Sequence, residues 1–284
     1  MADKLTVSQT KNGLLVGGLT FFDLDETMDC GQCFRFDRLP DGGWKGTAGG
    51  YTAVLRMLPE GLLVEGVTRA QFDGFWKRYL DLERDYAAIR AGFMEDAHLM
   101  ECMRFAPGIR ILRQPPWEAL CCFIISQNNN VPRIKGIVQR MCRHFGRPLP
   151  GGEWDFPPAD TLAGLTEEQL VPLRAGWRAS YLLDAARKVA SGELDLEEIA
   201  GLPLPQARAA LQRIRGVGPK VAECVLLYGM GRLEAFPLDV WMKRAMRELF
   251  PGLTPEAFGA YAGVAQQYIF HYCRRHPQAV RREA

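Results

Sequence analysis

Two side chains in the second half of the sequence could do chemistry together, the amine of Lys220 and the carboxylate of Asp239. Lys220 follows Pro219 in the first turn of a predicted helix, where the positive end of the helix dipole disfavours an ammonium. Only the free amine acts as a nucleophile. Asp239 opens a later predicted helix, and a capping carboxylate accepts backbone N–H bonds that keep it ionised. The pair could supply a nucleophile and an anion, although a solvated lysine and a plain N-cap are the simpler interpretations.

A helix, a tight turn and a second helix must position the lysine, and they are predicted at about 205–230. The segment "PQARAALQRI" has helical composition, "RGVG" forms the turn, and Pro219 starts the next helix. Gly216 and Gly218 would allow positive φ and expose backbone N–H groups where an anion is favoured. A DNA phosphate fits that description, and an ordinary turn between helices is the alternative interpretation.

Strand and turn signals come before the helices along the chain. Between residues 13 and 66, apolar runs are separated by turns such as "PDGG", which predicts an antiparallel sheet. After Thr68 the apolar spacing becomes helical, and "PWEALCCFIIS" is apolar nearly all round, which predicts a buried central helix. Further helices are predicted at about 131–145, 178–191, 205–213, 219–230, 239–250 and 255–275. The last of these should begin with Thr254 as its N-cap.

The expected fold class is therefore α+β. A sheet-containing domain is predicted over residues 1–105, and a helical region over 106–284 that divides near the Pro/Gly-rich linker at 150–160. With 48% apolar and 24% charged residues, the chain has the composition of a globular protein rather than a disordered one. No apolar run is long enough to span a membrane and no secretory signal is visible, so we expect an intracellular protein without a membrane partner.

Charge and cysteine placement narrow the class of partner. The net charge is only +2, yet the stretches 119–152 and 199–222 contain basic residues and no acids. Such basic stretches can contact phosphates, although two solvated helix faces would look the same. The eight cysteines suit a reduced compartment. Cys30 and Cys33 form a lone C-x-x-C, for which structural thiols are favoured over metal or redox use.

Five separated segments resemble one family of enzymes. The segment "GVGPKVAEC" followed by "FPLDVW" resembles the helix-hairpin-helix DNA glycosylases that have a Gly/Pro-rich loop and a catalytic Asp. The segments "CGQCFRF", "SQNNNVPRI" and "AYAGVAQQYIF" resemble 8-oxoguanine DNA glycosylase. The resemblance implies an N-terminal domain like half of a TATA-binding protein, then two helical subdomains with a cleft between them. It also implies base excision repair of 8-oxoguanine in duplex DNA, preferably opposite cytosine, with AP lyase activity.

The resemblance also assigns roles at the excised base. In this family the lysine matching Lys220 attacks the sugar C1′, forms a Schiff base and permits β-elimination of the strand, while Asp239 stabilises the oxocarbenium-like sugar. The family's base pocket is assigned to Gly31, Cys224, Gln266 and Phe270. Cys224 and Phe270 sandwich the flipped base, Gln266 reads its Watson–Crick edge, and the Gly31 carbonyl senses the hydrogen that oxidation places on N7. Without the family, Cys224 and Phe270 would be assigned to the core.

Roles on the opposite strand and the phosphates follow in the same way. The family residue matching Asn128 fills the vacated space, Arg133 and Arg178 read the orphaned cytosine, and Trp177 stands where a tyrosine wedge is usual. The phosphate contacts are assigned to Gly216, Gly218 and Trp241. Trp241 replaces a histidine, although its indole N–H can still donate a hydrogen bond.

No cofactor is expected. The chain lacks the C-terminal four-cysteine cluster of related branches, because only Cys273 lies beyond Cys224, so no iron–sulfur cluster and no metal ligands are predicted. A structural cation on the hairpin carbonyls is left open. The expected partner is damaged double-stranded DNA, bound by a monomer in the cytoplasm or nucleoid of a bacterium or the nucleus of a eukaryote.

Two alternatives stay open at this point. The first is a monofunctional alkylpurine DNA glycosylase of the same superfamily, which normally lacks the lysine, so Lys220 argues against it. The second is a noncatalytic helix-hairpin-helix DNA-binding protein, which would leave Asp239 and the pair Gln266 and Phe270 unexplained.

Overall fold

The computed structural model describes residues 5–280 and has the α+β architecture predicted from the sequence. Its N-terminal part is one sheet in which every neighbouring pair of strands is antiparallel, in the order β1-β2-β6-β5-β4-β3. The strands are β1 (Thr6–Gln9), β2 (Leu14–Gly17), β3 (Phe36–Arg38), β4 (Trp44–Ala48), β5 (Tyr51–Leu58) and β6 (Gly61–Glu65). The predicted hairpins are confirmed, whereas the edge strand β1 was not predicted because "TVSQ" carries a single apolar residue.

One face of the sheet is buried by the aromatic stripe that follows Thr68. The chain there is helical in three consecutive segments, α2 (Arg69–Gln71), a π-helical turn (Phe72–Trp76) and α3 (Lys77–Tyr79). Thr68 starts it with a capping box, because its hydroxyl accepts from the Gln71 N–H and the Gln71 side chain accepts from the Thr68 N–H. Trp76 and Tyr79 are at most 1% exposed and pack against Phe36 on β3. This cluster is the core of the sheet domain.

Most of the remaining helices enclose a second, larger core, whereas Leu24 and Met28 of the short helix between β2 and β3 pack in the core of the sheet domain. In chain order the remaining helices are α1 (Leu24–Met28, between β2 and β3), α4 (Tyr86–Ala91), α5 (Ala97–Phe105), α6 (Pro116–Ser126), α7 (Val131–Phe145), α8 (Ala159–Ala163), α9 (Arg178–Ala190), α10 (Leu196–Gly201), α11 (Leu204–Leu211), α12 (Pro219–Cys224), α13 (Val240–Glu248) and α14 (Ala262–Arg275). The central position of α6 is confirmed, since its residues from Glu118 to Ile125 are all buried. Within residues 5–280, no helix is both long and apolar enough to cross a membrane.

Two predicted helices differ from the observed ones. The helix predicted at 219–230 ends as α12 at Cys224 and continues as a π-helical turn over Val225–Gly229. The segment predicted as one helix from 255 is a 3-10 helix, Pro255–Tyr261, followed by α14, because Gly259 has φ +66 and breaks the path. Thr254 is the N-cap residue of the 3-10 helix, as predicted, although its side chain makes no capping hydrogen bond.

A buried ion pair joins the sheet domain to α6. The Arg35 Nη1 lies 3.1 Å from the Glu118 Oε2, and the two side chains are only 8% and 5% exposed. A second nitrogen of Arg35 donates to the Trp154 carbonyl, which lies in the predicted 150–160 linker. The linker therefore packs back on the sheet domain through the same guanidinium. The predicted domain limits themselves stay a prediction.

We expect Glu118→Ala to lower the free energy of unfolding by about 3–5 kcal/mol, because it leaves the Arg35 charge buried without its partner. Urea denaturation followed by far-UV circular dichroism measures the change. The matched control is Glu153→Ala, since Glu153 pairs with Lys45 and both side chains are 38% exposed. That pair should contribute no more than about 1 kcal/mol. Equal losses in the two variants would contradict a special role for the buried pair.

Candidate active site

The helix-hairpin-helix places Lys220 at the start of α12. Helix α11 ends at Leu211, a turn follows, and Pro219 and Lys220 occupy the first two positions of α12. The lysine is half-buried, with its Nζ 5.5 Å from the centroid of the Phe123 ring on α6. Sequence reasoning assigned no site role to Phe123, since an all-apolar helix gives no sign of which residue will meet the amine.

Cys224 lies one turn further along α12, as its spacing from Lys220 predicted. It is 2% exposed, and burial raises the pKa of its thiol, while the Lys220 charge beside it acts in the opposite direction. The charge of Asp239 also raises the pKa of the Cys224 thiol. Lys220 and Asp239 therefore share one electrostatic neighbourhood around this sulfur.

Asp239 caps α13, as predicted. Its Oδ1 accepts a hydrogen bond from the Met242 N–H at 2.8 Å, and its backbone is extended. The cap leaves the aspartate half-buried at the N-terminus of α13. The structure thus places both predicted chemical groups at helix N-termini.

Glu223 ties the segment before Asp239 to α12. This buried carboxylate accepts from the Phe236 N–H at 2.7 Å with one oxygen and from the Arg208 guanidinium with the other. One acid therefore connects α11, the helix that carries Lys220, and the strand-like "FPL" segment that leads into Asp239. Its position three residues after Lys220 was the available sequence signal.

Glu223→Ala should destabilise the protein by about 1–3 kcal/mol, because it leaves the buried Phe236 N–H without an acceptor. Arg208→Ala is the matched variant, since it removes the ion pair and keeps the bond to Phe236. Thermal and urea unfolding of both should show the larger loss for Glu223→Ala. A larger loss for Arg208→Ala would mean that the ion pair, rather than the backbone bond, stabilises this junction.

The predicted base pocket brings together the first loop of the chain and its last long helix. Gln266 and Phe270 lie one turn apart on α14, with Gln266 3% exposed and Phe270 half-buried. Gly31 has φ +84, a region that favours glycine. A Cβ on Gly31 would lie 3.5 Å from a Phe270 ring carbon and 2.9 Å from an Arg274 nitrogen. The absence of a side chain at Gly31 therefore permits this close approach.

Sequence reasoning missed three residues that contact Gln266, Phe270 or their neighbours around the predicted base pocket. The Tyr228 hydroxyl donates to the Gln267 Oε1 at 2.5 Å and lies 3.4 Å from the Gln266 Oε1. Arg274 lies over the Phe270 ring, with its Cζ 5.4 Å from the ring centroid. Tyr228 follows Cys224 by four residues, and that spacing could have found it. Gln267 and Arg274 gave no local signal of their contacts.

The three asparagines after α6 have different roles in the turn that joins α6 to α7. Asn128 is exposed and adopts φ +47. The Asn129 side chain donates to the Ile125 carbonyl at 3.0 Å, and the Asn130 side chain accepts from the Arg133 N–H at 3.0 Å, which caps α7. Arg133 is thus exposed in the first turn of α7, and Pro132 fits the helix start. The turn leaves Asn128 and Arg133 on the surface, where the predicted opposite-strand contacts require them.

Arg178 is bound within the protein. It is 2% exposed, and its guanidinium donates to the backbone carbonyls of Gln127 and Asn128, the latter at 2.9 Å. Its predicted contact with the orphaned cytosine stays a prediction. Its Cζ also lies 4.2 Å from the Trp177 ring centroid. Trp177 is 49% exposed, as a stacking wedge must be.

The three residues that were predicted to contact DNA phosphates differ in local conformation. Gly216 has φ +78, and a Cβ there would lie 2.1 Å from the Tyr181 ring. Gly218 has φ −90 and an extended ψ, so the expectation of positive φ was wrong at this N-cap. Trp241 is half-buried against the core, with the Arg244 Cζ 6.0 Å from its ring centroid.

The C-x-x-C pair consists of buried free thiols. Cys30 donates to the Thr27 carbonyl at 3.1 Å, and burial raises the pKa of the Cys33 thiol to about 12. In the part of the chain that the structure describes, no group of three or more His, Cys, Asp or Glu side chains has the placement of a metal site.

Comparison with known proteins agrees with this geometry. The family model of the N-terminal domain of 8-oxoguanine DNA glycosylase matches residues 16–120, and that of the HhH-GPD superfamily base excision DNA repair protein matches residues 121–256. These matches cover strands β3 to β6 of the sheet, the turn of three asparagines and the hairpin.

Individual relatives match over most of their length. A probable N-glycosylase/DNA lyase of Methanothermobacter thermautotrophicus is 30% identical over 255 residues, which are 78% of this chain and 80% of that relative. The N-glycosylase/DNA lyase OGG1 of Arabidopsis thaliana is 31% identical, over 88% of this chain and 77% of that relative. The crystal structure of Clostridium acetobutylicum 8-oxoguanine glycosylase/lyase with double-stranded DNA containing cytosine opposite 8-oxoguanine superposes with a TM-score of 0.91. It is 34% identical and covers 98% of this chain and 100% of that chain. The chain therefore belongs to the 8-oxoguanine DNA glycosylase family within the HhH-GPD superfamily of base excision DNA repair proteins.

Proposed function

We propose that this protein removes 8-oxoguanine from duplex DNA, preferably opposite cytosine, and then cleaves the strand as an AP lyase. The observation that carries the proposal is the placement of Lys220 and Asp239 at the N-termini of two helices, with the charges of both side chains acting on the pKa of the Cys224 thiol. The amine supplies the nucleophile, and the carboxylate supplies the anion that an oxocarbenium-like sugar needs.

The reaction follows from these two groups. The free amine of Lys220 bonds to the sugar C1′ while the N-glycosidic bond breaks and the base leaves with the bonding electrons. The Asp239 carboxylate stabilises the positive charge that develops on the sugar. The ring then opens to a Schiff base between Lys220 and C1′, loss of a C2′ proton follows, and the 3′ phosphate leaves by β-elimination. Only a lysine that reaches C1′ couples base removal to strand cleavage in this way.

The base pocket supports the choice of lesion. Cys224 and Phe270 offer a polarisable and an aromatic surface for the two faces of a flipped purine, and Gln266 offers a carboxamide for its edge. Oxidation at C8 converts the N7 of guanine from an acceptor into an N–H donor. The carbonyl of Gly31, beside Phe270, accepts from that donor and repels the N7 lone pair of guanine.

The opposite strand meets the turn of three asparagines. Asn128 fills the space left by the flipped nucleotide, Arg133 and Arg178 read the cytosine, and Trp177 stacks as the wedge. Arg178 also donates to the Asn128 carbonyl of the turn. Backbone N–H groups at Gly216 and Gly218, with Trp241, contact the phosphates. The proposed enzyme acts as an intracellular monomer without an iron–sulfur cluster or other cofactor, and a cation on the hairpin carbonyls stays a prediction.

Borohydride trapping tests the proposal directly. The wild-type protein is incubated with a duplex that contains one 8-oxoguanine opposite cytosine, and borohydride reduces any Schiff base to a stable crosslink. We expect a crosslink and a cleaved strand from this duplex and neither from the undamaged duplex. Base release without a crosslink would favour a monofunctional glycosylase. Binding without base release from oxidised or alkylated duplexes would favour a noncatalytic DNA-binding protein.

A further inference from the structure

The three consecutive backbone carbonyls of residues 30–32 differ in their hydrogen bonding. The Cys30 carbonyl accepts a hydrogen bond from the Gln267 side chain, and the Gln32 carbonyl accepts one from the Gln114 side chain. Between them, the Gly31 carbonyl accepts no hydrogen bond from residues 5–280. The two flanking carbonyls are therefore tied, and the middle one is available to a ligand.

The first tie comes from the helix that carries the edge reader. Gln267 is fully buried on α14 beside Gln266, and its Nε2 lies 3.0 Å from the Cys30 carbonyl oxygen. The Tyr228 hydroxyl donates to the Oε1 of the same carboxamide at 2.5 Å, which fixes the direction in which the amide points. The peptide that enters Gly31 is thereby fixed relative to Gln266 and Phe270.

The second tie comes from the strand-like segment before α6. The Gln114 Nε2 lies 2.6 Å from the Gln32 carbonyl, and the Gln114 N–H donates to the Tyr228 carbonyl at 2.8 Å. The Gln32 side chain is itself anchored, since it accepts from the Leu112 N–H at 2.9 Å and donates to the Arg110 carbonyl at 2.8 Å. Tyr228 thus contacts both glutamines, because its hydroxyl donates to the Gln267 carboxamide and its carbonyl accepts from the Gln114 backbone N–H.

These contacts matter because a mobile Gly31 carbonyl could not discriminate 8-oxoguanine from guanine. Gly31 has φ +84 and no Cβ, so a loose loop could shift its carbonyl away from guanine and relieve the repulsion with the N7 lone pair. Because the carbonyls on both sides are bonded in a buried site, such a shift of the loop breaks hydrogen bonds that no water replaces. Both carboxamides are neutral, so they fix the carbonyl without placing a charge beside the base.

We propose that Gln267 and Gln114 are positioning residues for lesion specificity, which hold the Gly31 carbonyl rigid for the N7–H of the oxidised base. The proposal rests on the proposed function and extends it to two side chains that do not touch the substrate. It predicts that replacement of either glutamine weakens the recognition and excision of 8-oxoguanine and leaves strand cleavage at an abasic site unchanged.

The test compares two substrates with the variants Gln267→Met and Gln114→Met. For an 8-oxoguanine duplex opposite cytosine, we expect KM to rise about tenfold with kcat retained, the size that follows from one lost hydrogen bond. On a duplex with a preformed abasic site, strand cleavage should stay within about twofold of wild type, because Lys220 acts there without a base to sense. Gln139→Met, on the exposed face of α7, controls for the substitution itself.

Parallel losses on both substrates would overturn the proposal, because they indicate a structural role for the two glutamines. Unchanged KM in both variants would overturn it as well. If Gln114→Met does not fold, Gln267→Met and Tyr228→Phe still decide the question, since both disturb the Cys30 tie and leave Gln114 in place. Failure of the proposed function is distinguishable, because the wild-type protein would then cleave neither substrate.

Discussion

Lys220→Gln is expected to abolish the borohydride crosslink and to slow strand cleavage at 8-oxoguanine by at least about 10³-fold. Glutamine keeps a polar, flexible side chain, about one atom shorter than lysine, but has no amine to bond to C1′. The hairpin does not depend on the lysine, because Pro219 starts α12 and Gly218 is its N-cap. Duplex binding measured by fluorescence anisotropy should therefore change much less than cleavage.

Lys243→Gln is the matched control for Lys220→Gln. Lys220 and Lys243 line one groove beside α12. Replacement of Lys243 therefore removes one positive charge from this groove without removing the proposed nucleophile. We expect its crosslink yield to stay close to that of wild type. A crosslink that persists in Lys220→Gln, or disappears in Lys243→Gln, would assign the nucleophile to another amine.

Asp239→Asn is expected to lower the rate of base excision by about 10²–10³-fold while leaving the fold intact. Asparagine caps helices about as well as aspartate, so the bond to the Met242 N–H can be kept. It carries no negative charge, however, and cannot stabilise the sugar cation. Single-turnover release of 8-oxoguanine measures the loss, and thermal unfolding checks the cap.

Asp239→Ala separates the two roles of this carboxylate. It should lose the same activity and in addition about 0.5–2 kcal/mol of stability, because the cap of α13 is removed. If Asp239→Asn retained wild-type excision, the carboxylate would be a cap alone, and the charge on the sugar would have to be stabilised elsewhere.

Local features of this protein could be predicted from the sequence because their causes are local. Pro219 after a Gly-rich turn predicts where α12 begins, and an aspartate before a helical run predicts the cap of α13. The spacing of four residues between Lys220 and Cys224 likewise predicts a shared helix face. The antiparallel sheet follows from apolar strands separated by turn residues. In each case a few neighbouring residues determine the outcome.

The features that could not be predicted depend on partners far away in the chain. The sequence around Arg178 gives no sign that its guanidinium will bind carbonyls at Gln127 and Asn128, because that requires α9 to pack beside the end of α6. The hydrogen bond from Gln267 to the Cys30 carbonyl likewise joins residues that are 237 positions apart in the sequence. The π-helical turn after Cys224 likewise had no sequence signal.

The burial of the eight cysteines has a consequence for the resistance of this protein to oxidation. All are buried and free, and burial raises the pKa of every one of these thiols. Peroxides attack the thiolate, so a thiol held protonated and away from solvent is oxidised slowly. An enzyme that repairs oxidised guanine works where oxidants are present. Its own thiols are shielded from the agents that create its substrate.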